Sequence, residues 1–202
     1  MLHTFVALVE DKPGVLTRVA SLFRRLNINI ISLTVGHSEA PHVSRMSIVA
    51  EAAPGAGHRV KASLFKLESV LDVDDVGQLS CVTRELALIK VSATPQTRTM
   101  IFQLAEIYRA RVVDLAPESL MLEITGSALK IEGLIQVLNQ DEHQILEIAR
   151  SGRMVMRRGQ HTSRVLEAMQ VSTPEQDPVL PITANAGDSL GSMPGEPNPL
   201  MD

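Results

Sequence analysis

The stretch Glu10-Asp11-Lys12-Pro13-Gly14-Val15-Leu16 decides the reading of this chain. It lies between an apolar run, Leu2–Val9, and an amphipathic run, Leu16–Leu26, so a strand ends, the chain turns and a helix begins. Pro13 suits the first helical position, where its missing N–H has no intrahelical partner to lose. Gly14 carries no side chain, which leaves a small ligand a clear approach to the first amides of the helix. Those amides sit at the positive end of the helix dipole and form a ready site for a carboxylate. Asp11 offers an acceptor for a cationic group at the other end of the same ligand. A carboxylate and backbone donors a few ångströms apart suit a free amino acid. Taken alone, the same residues also describe an ordinary turn before a helix.

Strand and helix patterns alternate outward from this point. Leu2–Val9 is apolar on both faces, as in the middle of a covered sheet. Leu16, Val19, Ala20 and Phe23 fall on one helical stripe, with Arg18, Ser21, Arg24 and Arg25 opposite. The β-branched run Asn27–Val35 predicts a second strand, residues 36–41 a polar loop, and Val43–Ala50 a third strand. Ala53-Pro54-Gly55-Ala56-Gly57 breaks the chain before a helix carrying Val60, Leu64 and Leu67, and Val70–Val76 reads as a fourth strand. The order β-α-β-β-α-β is ferredoxin-like.

The order then repeats. Leu86–Ala93 is a strand, and Ile101, Leu104, Ala105 and Tyr108 mark a helix. Arg111–Leu115 and Ser119–Thr125 pair about Ala116-Pro117-Glu118, Ile131, Leu134, Ile135 and Leu138 mark another helix, and Gln144–Ala149 is a last strand. The chain is therefore expected to be α+β, with tandem ferredoxin-like domains at 1–77 and 78–165, joined near Gly77–Thr83. Six of the eleven prolines lie beyond Met169 among scattered Gly, Ser and acids. Such a segment cannot offset its ordering entropy by burial, so residues 166–202 are expected to be a disordered tail.

Composition narrows the functional classes. With 202 residues and 45% hydrophobic content, the chain can bury one or two cores, built from aliphatic residues because aromatics are only 2%. A net charge of −4 and a pI of about 5.9 disfavour nucleic acid and anionic membranes as partners. The single Cys81 excludes an intrachain disulfide, fits a reducing compartment and reads as a small packing residue. The apolar N-terminal run has no basic leader and meets Glu10-Asp11-Lys12 too soon for a signal or a membrane span, so a soluble, cytoplasmic protein is expected.

The six histidines show no metal spacing, and His37 and His42 flank a loop and read as solvated. Gly55-Ala56-Gly57 is too short for a phosphate-binding fingerprint, and no Ser, His and acid arrangement suggests a nucleophile. Arg150, Arg153, Arg157 and Arg158 make one basic cluster. It reads first as a solvated chain end; contact with another subunit or a phosphate ligand is the alternative. RNA is disfavoured, with no aromatics nearby for base stacking. Met154 and Met156 fit a core or a partner surface equally.

The motifs now carry a family likeness. Residues 10–16 followed by Asn27-Ile28-Asn29-Ile30 resemble an ACT domain, the amino-acid-sensing module of biosynthetic enzymes. Asn29–Gly36, Val43-Ser44-Arg45-Met46-Ser47-Ile48, Lys66-Leu67, Arg84–Val91 and Ile148-Ala149-Arg150-Ser151-Gly152 closely resemble the small regulatory subunits of acetolactate synthase. The likeness runs from Met1 to about Arg164, with Asp at position 11 where the family often has Asn.

The resemblance implies a non-catalytic subunit that binds no cofactor of its own. The large catalytic subunit would carry thiamine diphosphate, Mg²⁺ and FAD, and the small subunit would activate it and make it sensitive to valine, leucine or isoleucine. A free-standing amino-acid sensor acting on another partner is the alternative. In a ferredoxin-like unit the second strand lies at a sheet edge, so two copies are expected to pair there across a two-fold axis. Effector sites are then expected at the seam. The amides of Gly14 and Val15 would take the ligand carboxylate and Asp11 its ammonium. Asn29 from the other copy would hydrogen-bond a polar end, and Val35 and Gly36 would close around an aliphatic side chain. The second domain, lacking a comparable turn, is expected to relay the signal.

Overall fold

A computed structural model describes residues 1–140 and 144–159. The expected tail at 166–202 and the expected domain end at 165 lie outside the described residues.

Every residue from Phe5 to Val9 is buried, so the first strand needs cover on both faces. It obtains that cover as an inner strand. β1 (Leu2–Glu10), α1 (Val15–Arg25), β2 (Asn29–His37), β3 (Val43–Glu51), α2 (Gly57–Phe65) and β4 (Val70–Asp75) build an antiparallel sheet in the order β2-β3-β1-β4. Phe5, Ala7 and Val9 face the helices and pack with Val19, Leu22, Phe23 and Leu64. Burying each such side chain contributes about 1.5–3 kcal/mol.

The second half repeats the plan. β5 (Cys81–Ser92), α3 (Arg98–Tyr108), β6 (Arg111–Leu115), β7 (Ser119–Gly126), α4 (Ala128–Gln140) and β8 (Ile145–Arg150) give the order β6-β7-β5-β8. Ile89, Leu122, Ile101, Leu134 and Leu138 form its core. The architecture is α+β with two antiparallel sheets, each built on the ferredoxin-like βαββαβ plan.

The structure departs from the sequence pattern at several points. Pro13 is not the first helical residue: Gly14 at φ 85° is the N-cap, and that left-handed bend delays the helix to Val15. The buried stripe of α1 is therefore Val15, Val19, Leu22 and Phe23, while Leu16 and Ala20 are exposed. Asn27, at φ 55°, ends the helical turn, so β2 starts at Asn29 rather than Asn27. Leu67 lies beyond α2 yet still packs on the first core.

The largest difference is at the end of the described chain. A further strand, β9 (Met154–Arg157), pairs with the first residues of β5, from Cys81 opposite Arg157 to Arg84 opposite Met154. β5 consequently starts five residues before the expected Leu86. Val155 is buried with Val6, Val76 and Cys81, which places β9 over the face of the first sheet away from its helices. The basic cluster is thus not merely a solvated chain end: Arg150 and Arg157 are paired, and the backbone of Arg153 is bonded to β2.

Candidate ligand site at the turn after the first strand

The turn between β1 and α1 is built from backbone bonds, with Lys12 Nζ donating to Glu10 Oε1 at 3.1 Å on its outer side. Asp11 N donates to His42 O at 2.8 Å and Lys12 N to Glu10 O at 3.0 Å. This ties the turn to the β2–β3 connection. The left-handed Gly14 then points the chain into the helix, and a Cβ built on it meets nothing within 4 Å. The space above it is open. No side chain caps α1, and its first turn contains no acid. The opening amides, which have no intrahelical acceptors, therefore face that space with the positive end of the dipole behind them. Val15 N leans on Lys12 O at 3.4 Å, a long contact that a stronger acceptor can replace. α2 also lacks a side-chain cap, so what distinguishes the first turn is its surroundings.

Those surroundings are Asp11 and the far end of β2. The Asp11 Oδ2–His37 Nδ1 distance is 3.3 Å, both groups largely in water. His37 is solvated, as its sequence context suggests, but it also marks how closely β2 approaches the turn. Val35 and Gly36 precede it on the same strand, Val35 half-exposed and Gly36 with open space where a Cβ would be. The fold therefore brings Asp11, Gly14, Val15, Val35 and Gly36 to one end of the first sheet. Asn29 is the exception within the chain. It starts β2, opposite Glu51, and at ~3.3 Å per residue it lies about 23 Å from Gly36.

A second polar cluster joins residues far apart in the chain. Arg150 Nε donates to Glu85 Oε1 at 2.7 Å and its Nη2 to Glu85 Oε2 at 3.1 Å, while Glu132 on α4 lies 3.6 Å from the same guanidinium. Glu85 is only 4% exposed, so it needs this bidentate partner. The hydrogen bonds to Glu85 hold the Arg150 pKa above its ordinary value. A raised cation pKa stabilises the fold below that range and loses effect only above it, so the Arg150 proton brings no pH dependence near neutrality. Nothing in the spacing of Glu85 and Arg150, sixty-five residues apart, announces the pair. Ser32 and Thr34 were equally silent: Ser32 Oγ accepts from Arg153 N at 2.8 Å and Thr34 Oγ1 donates to Arg153 O at 2.9 Å.

Among the described residues no group of three or more His, Cys, Asp or Glu is placed to hold a metal ion, and no helix is long and apolar enough to cross a membrane. Cys81 is partly buried against Val76 and Val155, in keeping with a packing role.

Comparison with known proteins accounts for both halves. Residues 5–72 match the family model described as "AHAS small subunit-like ACT domain", and residues 84–159 match "Small subunit of acetolactate synthase". A probable acetolactate synthase small subunit from Archaeoglobus fulgidus is 45% identical over 159 residues, covering 79% of this chain and 98% of that protein. The acetolactate synthase small subunit of Mycolicibacterium smegmatis is 45% identical over 157 residues, covering 78% and 91%. The crystal structure of the Thermotoga maritima small subunit superposes with a TM-score of 0.72 at 39% identity, covering 79% of this chain and 98% of that one.

Proposed function

The chain belongs to the family of acetolactate synthase small subunits, and from that premise we propose that it is the non-catalytic regulatory partner of a large catalytic subunit. It raises that subunit's activity and makes it sensitive to a branched-chain amino acid, valine first, with leucine and isoleucine as the close alternatives. Thiamine diphosphate, Mg²⁺ and FAD belong to the large subunit, and this chain binds none of them. The setting is cytoplasmic, where branched-chain amino acids are made.

One observation carries the effector assignment: an acidic side chain and an uncapped, glycine-led helix start stand together at the end of β2, whose outer edge pairs with no strand among the described residues. The Gly14 and Val15 amides hold the ligand carboxylate, Asp11 accepts from its ammonium, and Val35 and Gly36 flank the aliphatic side chain. The free edge of β2 carries half-exposed Ile31 and Val35, the features of a strand awaiting another strand. Antiparallel pairing with a second copy about a two-fold axis at Leu33 sets Asn29 of one copy opposite His37 of the other. That pairing completes the site with the residue a single chain leaves remote.

Reconstitution with the large subunit tests this. Gly14→Asp fills the open space with a carboxylate that repels the ligand's own. It is expected to raise the valine concentration for half-inhibition at least tenfold, about 1.4 kcal/mol or more, and to leave activation of the large subunit intact. A Gly14→Asp complex as valine-sensitive as the unmodified one contradicts the site.

A further inference from the structure

The residues proposed to meet the effector lie on the first half, whereas Arg150–Arg157 belong to the second. The two halves are joined across β2 by one short turn. Ser151-Gly152-Arg153 connects β8 to β9 and rests on the middle of β2. Arg153 N donates to Ser32 Oγ at 2.8 Å, and Thr34 Oγ1 donates to Arg153 O at 2.9 Å. Gly152 fits this contact only as glycine. Its φ is +81°, and a Cβ there would stand 3.0 Å from Ser32 Oγ and 3.3 Å from Leu33 O. One strand further in, Arg45 Nη2 donates to Val155 O at 3.0 Å.

The other side of the same turn is fixed to the second sheet. Ser151 N donates to Leu86 O at 2.9 Å, Leu86 N returns a bond to Ser151 Oγ at 3.0 Å, and the adjacent Arg150 is held by Glu85. The turn thus has few ways to move except with one sheet or the other. β2 is the edge strand of its sheet among the described residues, and a register shift between Ile30 and Ser32 interrupts its ladder to β3 just where Ser32 meets the turn, as one between Lys90 and Val91 interrupts the β5–β8 ladder.

We propose that the Ser151–Arg153 turn is the coupling element of the protein: it reads the position of β2 through Ser32 and Thr34 and passes it to β5 and β8. This rests on the effector reading above. Ligand binding at Asp11–Gly14 and Val35–Gly36 selects one position of β2, and the paired hydroxyls convert that choice into a displacement of Arg153. The second half, which presents no open ligand turn of its own, thereby responds to a ligand it does not touch. Coupling of this class changes effector response by a factor of about 5–150.

The test uses the full chain with its large subunit and compares the unmodified protein with Ser32→Ala/Thr34→Val, which deletes both hydroxyls at nearly constant volume. Valine binding is read by calorimetry and inhibition by enzyme assay. Binding within about threefold of the unmodified chain, with inhibition weakened at least fivefold, supports the coupling. Thr34→Ser, which keeps its hydroxyl, is expected to inhibit normally. Thr34→Val alone, which deletes one of the two hydroxyls without touching the turn, gives the readout independently if the double variant folds poorly. A variant that binds and inhibits like the unmodified chain overturns the proposal, as does one that loses binding, since the hydroxyls would then belong to the ligand site. Failure of the unmodified chain to bind valine overturns the effector reading itself, and this proposal with it.

Discussion

The two halves of this chain share a strand order but differ at the turn that follows their first strand. In the first half that turn is open: Gly14 is left-handed and uncapped, and Asp11 reaches toward β2 without filling the space. In the second half the corresponding turn is closed on itself. Thr94 N donates to Thr97 Oγ1 at 3.0 Å, the two hydroxyls lie 3.2 Å apart, and the helix starts from Thr97 in the right-handed region. Arg98 then crosses to the β6–β7 connection, its Nη2 donating to Ala116 O at 3.0 Å and Pro117 O at 2.6 Å. Neither helix start has a side-chain cap; the first leaves open space above Gly14, whereas the second is tightened by backbone bonds from Arg98 N to Thr94 O at 3.0 Å and from Met100 N to Thr97 O at 3.1 Å. One fold thus carries an open turn at one end and a closed turn at the other, and the difference lies in a handful of turn residues.

The largest effects are expected in the two cores. Leu64 on α2 and Leu134 on α4 are both fully buried. Replacing either by Ala is expected to cost about 2–5 kcal/mol through lost contacts and a residual cavity, read by denaturant unfolding. A cost below about 1 kcal/mol for Leu134→Ala would mean that the second half holds no core of comparable quality.

The next effect is electrostatic and confined to the second half. Arg150→Ala leaves Glu85 buried without its partner. With Arg150 itself about a third exposed, the loss should fall below the 3–5 kcal/mol of a fully buried pair, at about 2 kcal/mol. Glu85→Gln in the same background should recover part of it, because a neutral amide tolerates burial better than an unpaired carboxylate.

The smallest effect sharpens the contrast between the turns. Thr97→Ala removes one hydroxyl from the closed turn and is expected to cost about 0.5–1.5 kcal/mol without creating any affinity for an amino acid. Valine binding at the opened second turn would show that openness alone makes a site and that Asp11 and β2 are incidental.

These features were unevenly legible in the sequence. Periodicity located every strand and helix of the two repeats except β9, since long apolar runs and their breakers are local signals. β9 was hidden because only Val155 of its four residues is buried, and it is set among arginines and methionines that read as surface. The early start of β5 was hidden for the same reason, as residues 81–84 become a strand only through pairing with β9. Pro13 misled because proline is equally at home in a turn and at a helix start, and the φ of Gly14 decides between them. Asp11 and Gly14 were visible because turn chemistry is local. The Glu85–Arg150 pair and the Ser32–Arg153 contact span 65 and 121 residues and arise only when the chain has folded.

If the proposed site is right, the first turn binds an amino acid and the second does not. Backbone amide resonances followed during a valine titration test it most directly. Saturable shifts are expected at Gly14–Thr17 and at Val35–Gly36, with Thr94–Ile101 unmoved or shifted far less. Shifts centred on Thr94–Ile101, or saturable binding that leaves Gly14–Thr17 unmoved, would contradict it.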